Sequence, residues 1–175
     1  MKRALCLLLT ITALAARAQD FAAKFMALCS DSDSITCQTV GPKMMQRLVE
    51  NLRDANNKET AQPNDSCAQT PEEEQAAEIF AKLRSARILT ATTTGDTLYQ
   101  RAQNLMEENK NRFQLISSAE PDTRNQVYAR KQNNIVRELV MLNLSPDGQL
   151  TIICLTGQMD EEFMQTLAAA NWNVK

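Results

Sequence analysis

IVRELVMLNLSPDGQLTIICLTG, residues 135–157, is the stretch that decides the fold. Its first run, Ile135–Leu144, is more continuously apolar from Leu139 to Leu144, as in a central strand, and Gln149–Thr156 predicts a second strand. Between them, residues 145–148 (Ser-Pro-Asp-Gly) suit a tight turn. The stretch therefore predicts an antiparallel hairpin inside a sheet.

More strands precede this hairpin. Arg124–Arg130 alternates apolar and polar residues and is separated from Ile135 by the turn residues Asn133-Asn134. With Arg112–Ser117 before it, the C-terminal half predicts an antiparallel meander. Two earlier strands are predicted at Ile35–Val40 and Ala86–Ala91.

The remaining periodic segments have the spacing of amphipathic helices. A Met-rich stripe that includes Met44 and Met45 predicts core packing rather than a binding groove, because Met fills gaps readily. Asp96 is placed to cap the helix that follows it. The predicted helices are Phe21–Leu28, Lys43–Leu52, one that opens at Glu72 and runs to about Leu83, Thr97–Lys110, and one beginning near Asp160.

These elements predict an α+β fold with an antiparallel sheet of about four to five strands and helices packed mainly on one face. Residues 19–175 are long enough for a single domain. The segment from about 53 to 75 has hardly a large apolar residue, so it is interpreted as a flexible polar segment within that domain.

Residues 1–18 have the order of a cleavable signal peptide. Lys2 and Arg3 precede an apolar run, Ala4–Ala15, and Ala16-Arg17-Ala18 supplies small residues, so cleavage is expected between Ala18 and Gln19. A run of about 12 residues is too short for a bilayer core, which needs about 20. Since no cysteine follows Ala18, a lipoprotein is not expected. The sequence predicts a soluble protein exported to the periplasm or cell envelope, without a transmembrane segment in the mature chain.

The charge balance gives no reason to expect a nucleic-acid partner. Removing Lys2, Arg3 and Arg17 leaves 16 basic against 21 acidic residues, a net charge of about −5. Nucleic acids and anionic lipids attract basic surfaces instead.

Four cysteines are disulfide candidates in an oxidising compartment, where exported thiols are usually oxidised. Three pairings are open, and sequence does not choose among them. Cys67 lies in a polar stretch, whereas the strand residues Cys37 and Cys154 could be small buried hydrophobes. The candidates are Cys29, Cys37, Cys67 and Cys154.

No catalytic signature is present. The chain has no histidine, which excludes Ser-His-Asp and Cys-His arrangements and histidine-based zinc sites. In the run 160–162, Asp160 serves better as a helix cap, and its acidic neighbours point to different helix faces. Arg101, Arg130, Lys131 and Arg137 could form a basic patch, but a solvated surface is favoured. The sequence gives no catalytic, cofactor-binding or metal-binding residue, and a non-enzymatic role is favoured.

Three C-terminal motifs carry a family resemblance: Ile135–Leu142 (IVRELVML), Gln149–Gly157 (QLTIICLTG) and Met159–Leu167 (MDEEFMQTL). Together with Ala86–Thr92 and the helix around Arg101–Met106, they resemble a family of exported proteins common in Bacteroidetes, domain of unknown function 4252 (DUF4252). The resemblance covers about residues 76–168, and 21–45 more loosely. It implies export and a compact α+β domain, and it transfers no active site.

The sequence therefore favours a non-catalytic interaction or binding module whose partner is an envelope protein or a cell-surface component. The alternative is a thiol-dependent redox or stress-sensing protein that uses Cys67. A meander with a free edge strand could also pair across a two-fold axis, so a homodimer is considered.

Overall fold

A computed structural model of the chain describes residues 20–32, 34–59, 80–118 and 124–169. It divides the chain into two compact units, one up to Asp33 and one from Ser34 onward. The first unit contains helix α1, Phe21–Leu28, as predicted. Asp20 caps it by accepting the Ala23 N–H at 2.8 Å, and the Phe21 and Phe25 rings stack with centroids 5.8 Å apart.

The second unit is built on one six-stranded antiparallel sheet. Its strands lie in the order β1-β2-β6-β5-β4-β3, so β1 and β3 form the two edges. The elements are β1 (Ile35–Val40), α2 (Pro42–Glu59), β2 (Leu83–Ala91), α3 (Gly95–Glu108), β3 (Gln114–Ser118), β4 (Arg124–Gln132), β5 (Ile135–Leu144), β6 (Leu150–Met159) and α4 (Glu161–Ala169).

The predicted hairpins are confirmed. Asn133 and Asn134 both have positive φ angles, 52° and 62°, as a two-residue turn of type I′ requires. Gly148, with φ 82°, completes the turn between β5 and β6, where the Ser145 hydroxyl also donates to the Gln149 carbonyl oxygen at 3.0 Å. β5 lies between β4 and β6, so it is the inner strand that its apolar run predicts.

Helix α3 covers one sheet face, which we call the α3 face. There the buried residues Leu89, Ile152 and Leu142 lie side by side on β2, β6 and β5. The amide nitrogen of Gln103 in α3 donates to the Gln126 oxygen at 3.1 Å, and Gln126 is the β4 partner of Leu142. Leu98, Tyr99, Ala102, Leu105 and Met106 form the buried side of α3.

The opposite face carries a second apolar cluster. Met45 of α2 and Phe163 of α4 belong to it together with Leu139 and Leu155, which are neighbours on β5 and β6. The prediction that helices pack mainly on one face is therefore wrong, because α3 covers one face and α2 and α4 contribute to the core on the other. The predicted count of four to five strands is also low by at least one.

Two local predictions are corrected as well. Helix α2 continues to Glu59, so the first seven residues of the predicted flexible segment 53–75 are helical, and residues 60–75 lie outside the described part of the chain. The N-cap of α3 is Thr94, while Asp96 lies in the first turn, where it forms an ion pair with Arg124. An acid in a first turn still stabilises a helix through the helix dipole.

Asp160 caps α4, as the sequence predicts. Its Oδ1 accepts the Phe163 N–H at 2.9 Å and lies 3.0 Å from Lys82 Nζ. The bond from Phe163, followed by that from Lys82, holds the pKa of Asp160 below its ordinary value of 3.8. The pKa of Asp160 is lower in the folded protein than in the unfolded chain. The contribution of its carboxylate to stability is therefore complete at a pH above the unfolded-state pKa, and it is lost as the pH falls through the folded-state pKa.

Asp160→Ala is therefore expected to lower the free energy of unfolding by about 1 kcal/mol at neutral pH, since both the cap and the Lys82 contact are lost. Asp160→Asn should cost less, because asparagine caps about as well as aspartate. Urea unfolding at neutral and strongly acidic pH measures both, and the gap between wild type and Asp160→Ala should narrow in acid. If Asp160→Ala lowers the free energy of unfolding by the same amount at both pH values, the cap does not depend on the charge of Asp160.

Candidate functional site

The predicted disulfide residues fall in different environments. Cys154 is buried in β6 and Cys29 is buried after α1, whereas Cys37 is exposed on β1. No disulfide bond joins any two of the three cysteines that the structure describes. Cys67 lies outside the described residues, as do the cleavage residues Ala18 and Gln19. Pairing through Cys67, and a redox role for it, stay predictions.

The acidic run at the start of α4 is explained by structure. Lys82 Nζ lies 3.0 Å from Asp160 Oδ1 and 3.0 Å from Glu162 Oε2, so one cation bridges both carboxylates. The hydrogen bonds to Glu162 and Asp160 raise the pKa of Lys82. The contacts with Lys82, and for Asp160 the helix cap, account for both carboxylates without a catalytic role.

A polar row crosses the α3 face at one end of the sheet. Arg130, Glu138, Thr156 and Ser85 occupy neighbouring positions on β4, β5, β6 and β2. Arg130 Nε donates to Glu138 Oε2 at 3.0 Å, and the Ser85 and Thr156 hydroxyl oxygens lie 2.7 Å apart. Glu138 is fully buried, and Arg130 forms an ion pair with it. The interpretation of Arg130 as part of a solvated surface is therefore corrected.

This row has the features of a structural pair rather than a reactive centre. A general acid needs a carboxylate whose proton is shared with a substrate, whereas Glu138 is enclosed and bonded to a cation. Among the described residues, no three His, Cys, Asp or Glu side chains are grouped so as to hold a metal ion. The sequence signal for this pair was a single acid within an apolar strand.

On the opposite face, the sheet extends beyond its helix-covered core. Two neighbouring rows of side chains here carry no charge, and we call them together the open face. Of its members, Ile153 alone is buried, and the others are half-buried or exposed. The open face consists of Gln38, Ile88, Ile153, Met141 and Val127 in one row and Thr36, Thr90, Thr151, Asn143 and Asn125 in the next.

The first row supplies apolar contact area. Ile88 is a large apolar residue that is 36% exposed on an inner strand. Met141 and Val127 continue the row as partly buried side chains at the margin of the core. The row therefore forms the margin of the packed core, and Ile88 is its exposed apolar residue.

The second row supplies polar side chains, most of which make no hydrogen bond within the described part of the chain. The structure records no side-chain hydrogen bond for Thr90, Thr151 or Asn143 within its described residues. Asn125 Oδ1 is buried and accepts no hydrogen bond from any described residue. Since neighbouring strands lie about 4.8 Å apart, the row is a regular line of hydroxyl and amide groups across five strands.

The open face could not be predicted from the sequence, because its ten residues come in pairs from five different strands. Only the strand registers bring Thr36, Thr90 and Thr151 side by side.

No helix in the described part of the chain is both long and apolar enough to cross a membrane.

A model of a protein family matches residues 30–167, a range that contains all six strands. Its description is a domain of unknown function, DUF4252. The match includes residues 46–75, which the sequence resemblance left out. No curated protein matches the chain.

Proposed function

The chain belongs to the DUF4252 family, and we propose that it is an exported, envelope-associated binding module that recognises another protein through its open face, without catalysis. The proposal rests mainly on one observation, an uncharged, half-exposed surface of ten side chains on one sheet face.

The absence of charge favours a protein partner. The chain is 23% charged, and solvated sheet faces ordinarily carry charged side chains, yet the open face has none. Cores of protein interfaces are likewise depleted in charged residues. Burying the apolar row would stabilise a complex by about 25 cal/mol for each Å² removed from water.

The second row of the open face favours a specific partner. A partner surface can donate to or accept from the hydroxyls of Thr90 and Thr151 and the amide of Asn143, which have no other bond in the described structure. A surface that lacks matching groups would leave them buried and unpaired, at a cost of about 1–3 kcal/mol each. Discrimination between partners follows from that cost.

Export is supported by the order of residues 1–18, with a basic start, an apolar run and small residues before Gln19. An envelope location would also expose the open face to other envelope proteins.

Ile88→Glu tests the proposal. A photo-cross-linking residue is placed at Thr151 of the tagged protein in its native cells, and the cross-linked partner is identified and purified. We expect one partner, whose affinity falls at least about tenfold in Ile88→Glu, because the variant brings a charge into a desolvated contact.

Leu115→Glu is the matched control. Leu115 is another exposed large apolar residue, 52% exposed on β3, and it lies outside the open face. Its variant should bind as the wild type does. Equal binding by wild type and Ile88→Glu, in proteins that melt at similar temperatures, would refute the proposed surface. Export would be refuted if the protein is found in the cytoplasmic fraction with residues 1–18 still attached.

A further inference from the structure

The two edges of the sheet differ in how well they are protected against pairing. At β3, the register with β4 shifts between Leu115 and Ser117, so the edge strand is irregular after two residues. At β1, all six residues from Ile35 to Val40 pair with β2 in one unbroken register. Bulges are a common protection of sheet edges, and of the two edge strands β3 has a register shift whereas β1 has none.

β1 also lacks the other common protections. Its sequence, ITCQTV, contains no charged residue and no proline, and the side chains of residues 36–39 are exposed. Four of its six residues are β-branched, which favours an extended strand. No described strand pairs with its outer side. An edge of this type is a template for another strand.

We propose that the outer edge of β1 pairs antiparallel with β1 of a second copy of this chain, about a two-fold axis perpendicular to the sheet. An uncharged strand can lie against its own copy without like-charge repulsion, although the whole chain has a net charge of −2. A charged partner strand would gain no attraction from β1. Pairing through β1 alone closes the assembly as a dimer, because the irregular β3 edge does not continue it.

The symmetry limits the register. Residues directly opposite each other must point to the same face of the joined sheet, so the axis passes beside a residue and not between two. When five residues of each β1 strand pair, that residue is Cys37 or Gln38. In the first register Cys37 faces its own copy, and Thr36 faces Gln38 of the second copy. In the second register Gln38 faces its own copy. Cβ atoms of the two Cys37 residues are then about 5 Å apart in the first register and about 8 Å apart in the second.

The dimer does not depend on the proposed partner protein. Thr36 and Gln38 belong to the open face, so β1 pairing would join the open faces of two copies into one surface. Loss of the dimer and loss of partner binding are measured separately, the first with the purified protein alone.

Sedimentation of the purified protein over a concentration series tests the dimer. The variant Thr36→Glu/Gln38→Glu sets like charges opposite each other in both registers, and its dimer should dissociate at least about tenfold more readily than that of the wild type. A matched variant at the other edge, Leu115→Glu/Ser117→Glu, should leave the dimer unchanged. A wild type that is monomeric throughout, or a dimer that Thr36→Glu/Gln38→Glu leaves intact, would overturn the proposal.

A short bismaleimide cross-linker locates the contact. In a Cys67→Ala background, it should join two chains through Cys37 within the dimer peak, and Cys37→Ser should abolish the covalent link while the dimer persists. An uncross-linked dimer in the Cys67→Ala background would place the contact elsewhere and overturn the β1 pairing.

Discussion

Gly95→Ala is expected to destabilise the second unit severely, by about 3 kcal/mol, which corresponds to a fall of about 6–12 °C in the melting temperature. Gly95 is the first residue of α3 and is buried. A β-carbon there would overlap the carbonyl oxygen of Gly148 and would lie 3.1 Å from the Leu150 nitrogen. These are backbone atoms of the β5–β6 hairpin, so no side-chain rotation can relieve the overlap.

Gly41→Ala is the matched control, because a β-carbon at Gly41 would have no atom within 4 Å. It should cost less than about 1 kcal/mol, a loss that reflects only the weaker capping by alanine before α2. Thermal melting followed by circular dichroism compares the two variants. Similar melting temperatures for Gly95→Ala and wild type would mean that α3 does not start against the hairpin.

Much of the sheet could be predicted from local patterns. β1 and β5 have the predicted bounds, because each is an extended run that ends at a recognisable turn. The placement of helices could not be predicted in the same way. Periodicity shows that α2 and α3 each have an apolar side, but the sheet face that each covers depends on the strand order, which places β2 and β3 in distant parts of the sheet.

Helix α2 shows a further limit of periodicity. The sequence places Met44, Met45, Leu48 and Val49 on one apolar side. In the structure Met45 and Val49 are buried, whereas Met44 is 56% and Leu48 is 38% exposed. An apolar stripe can be wider than the surface that covers it, and the width of the covering surface is a property of the fold.

The buried ion pair illustrates how one irregular residue changes a register. Gln132 pairs with Ile135 and Lys131 with Val136, so regular counting would set Arg130 opposite Arg137. A register shift between Arg130 and Lys131 sets Arg130 opposite Glu138 instead. Like charges directly opposite each other are destabilising, and the shift replaces such a pair with an attractive one. The bulge was not visible in the sequence, which showed the lone acid Glu138 in its strand but not the residue that faces it.

Arg130→Leu is therefore expected to lower the free energy of unfolding by about 3–5 kcal/mol, because it removes a cation from a carboxylate that cannot reach water. Glu138 is fully buried, and Arg130 is the side chain of the pair that reaches the surface, with 29% exposure. Denaturant unfolding at neutral pH measures the loss. The midpoint should fall while the slope stays unchanged, since the surface exposed on unfolding is the same.

The double variant Arg130→Leu/Glu138→Leu separates the ion pair from the packing around it. Apolar replacement of both partners is often neutral or stabilising, so the double variant should recover most of the stability that Arg130→Leu loses. Recovery would assign the loss to the buried carboxylate that no longer contacts Arg130. Equal losses in both variants would mean that the arginine stem supplies the stability by packing, and a single variant as stable as the wild type would contradict the pair itself.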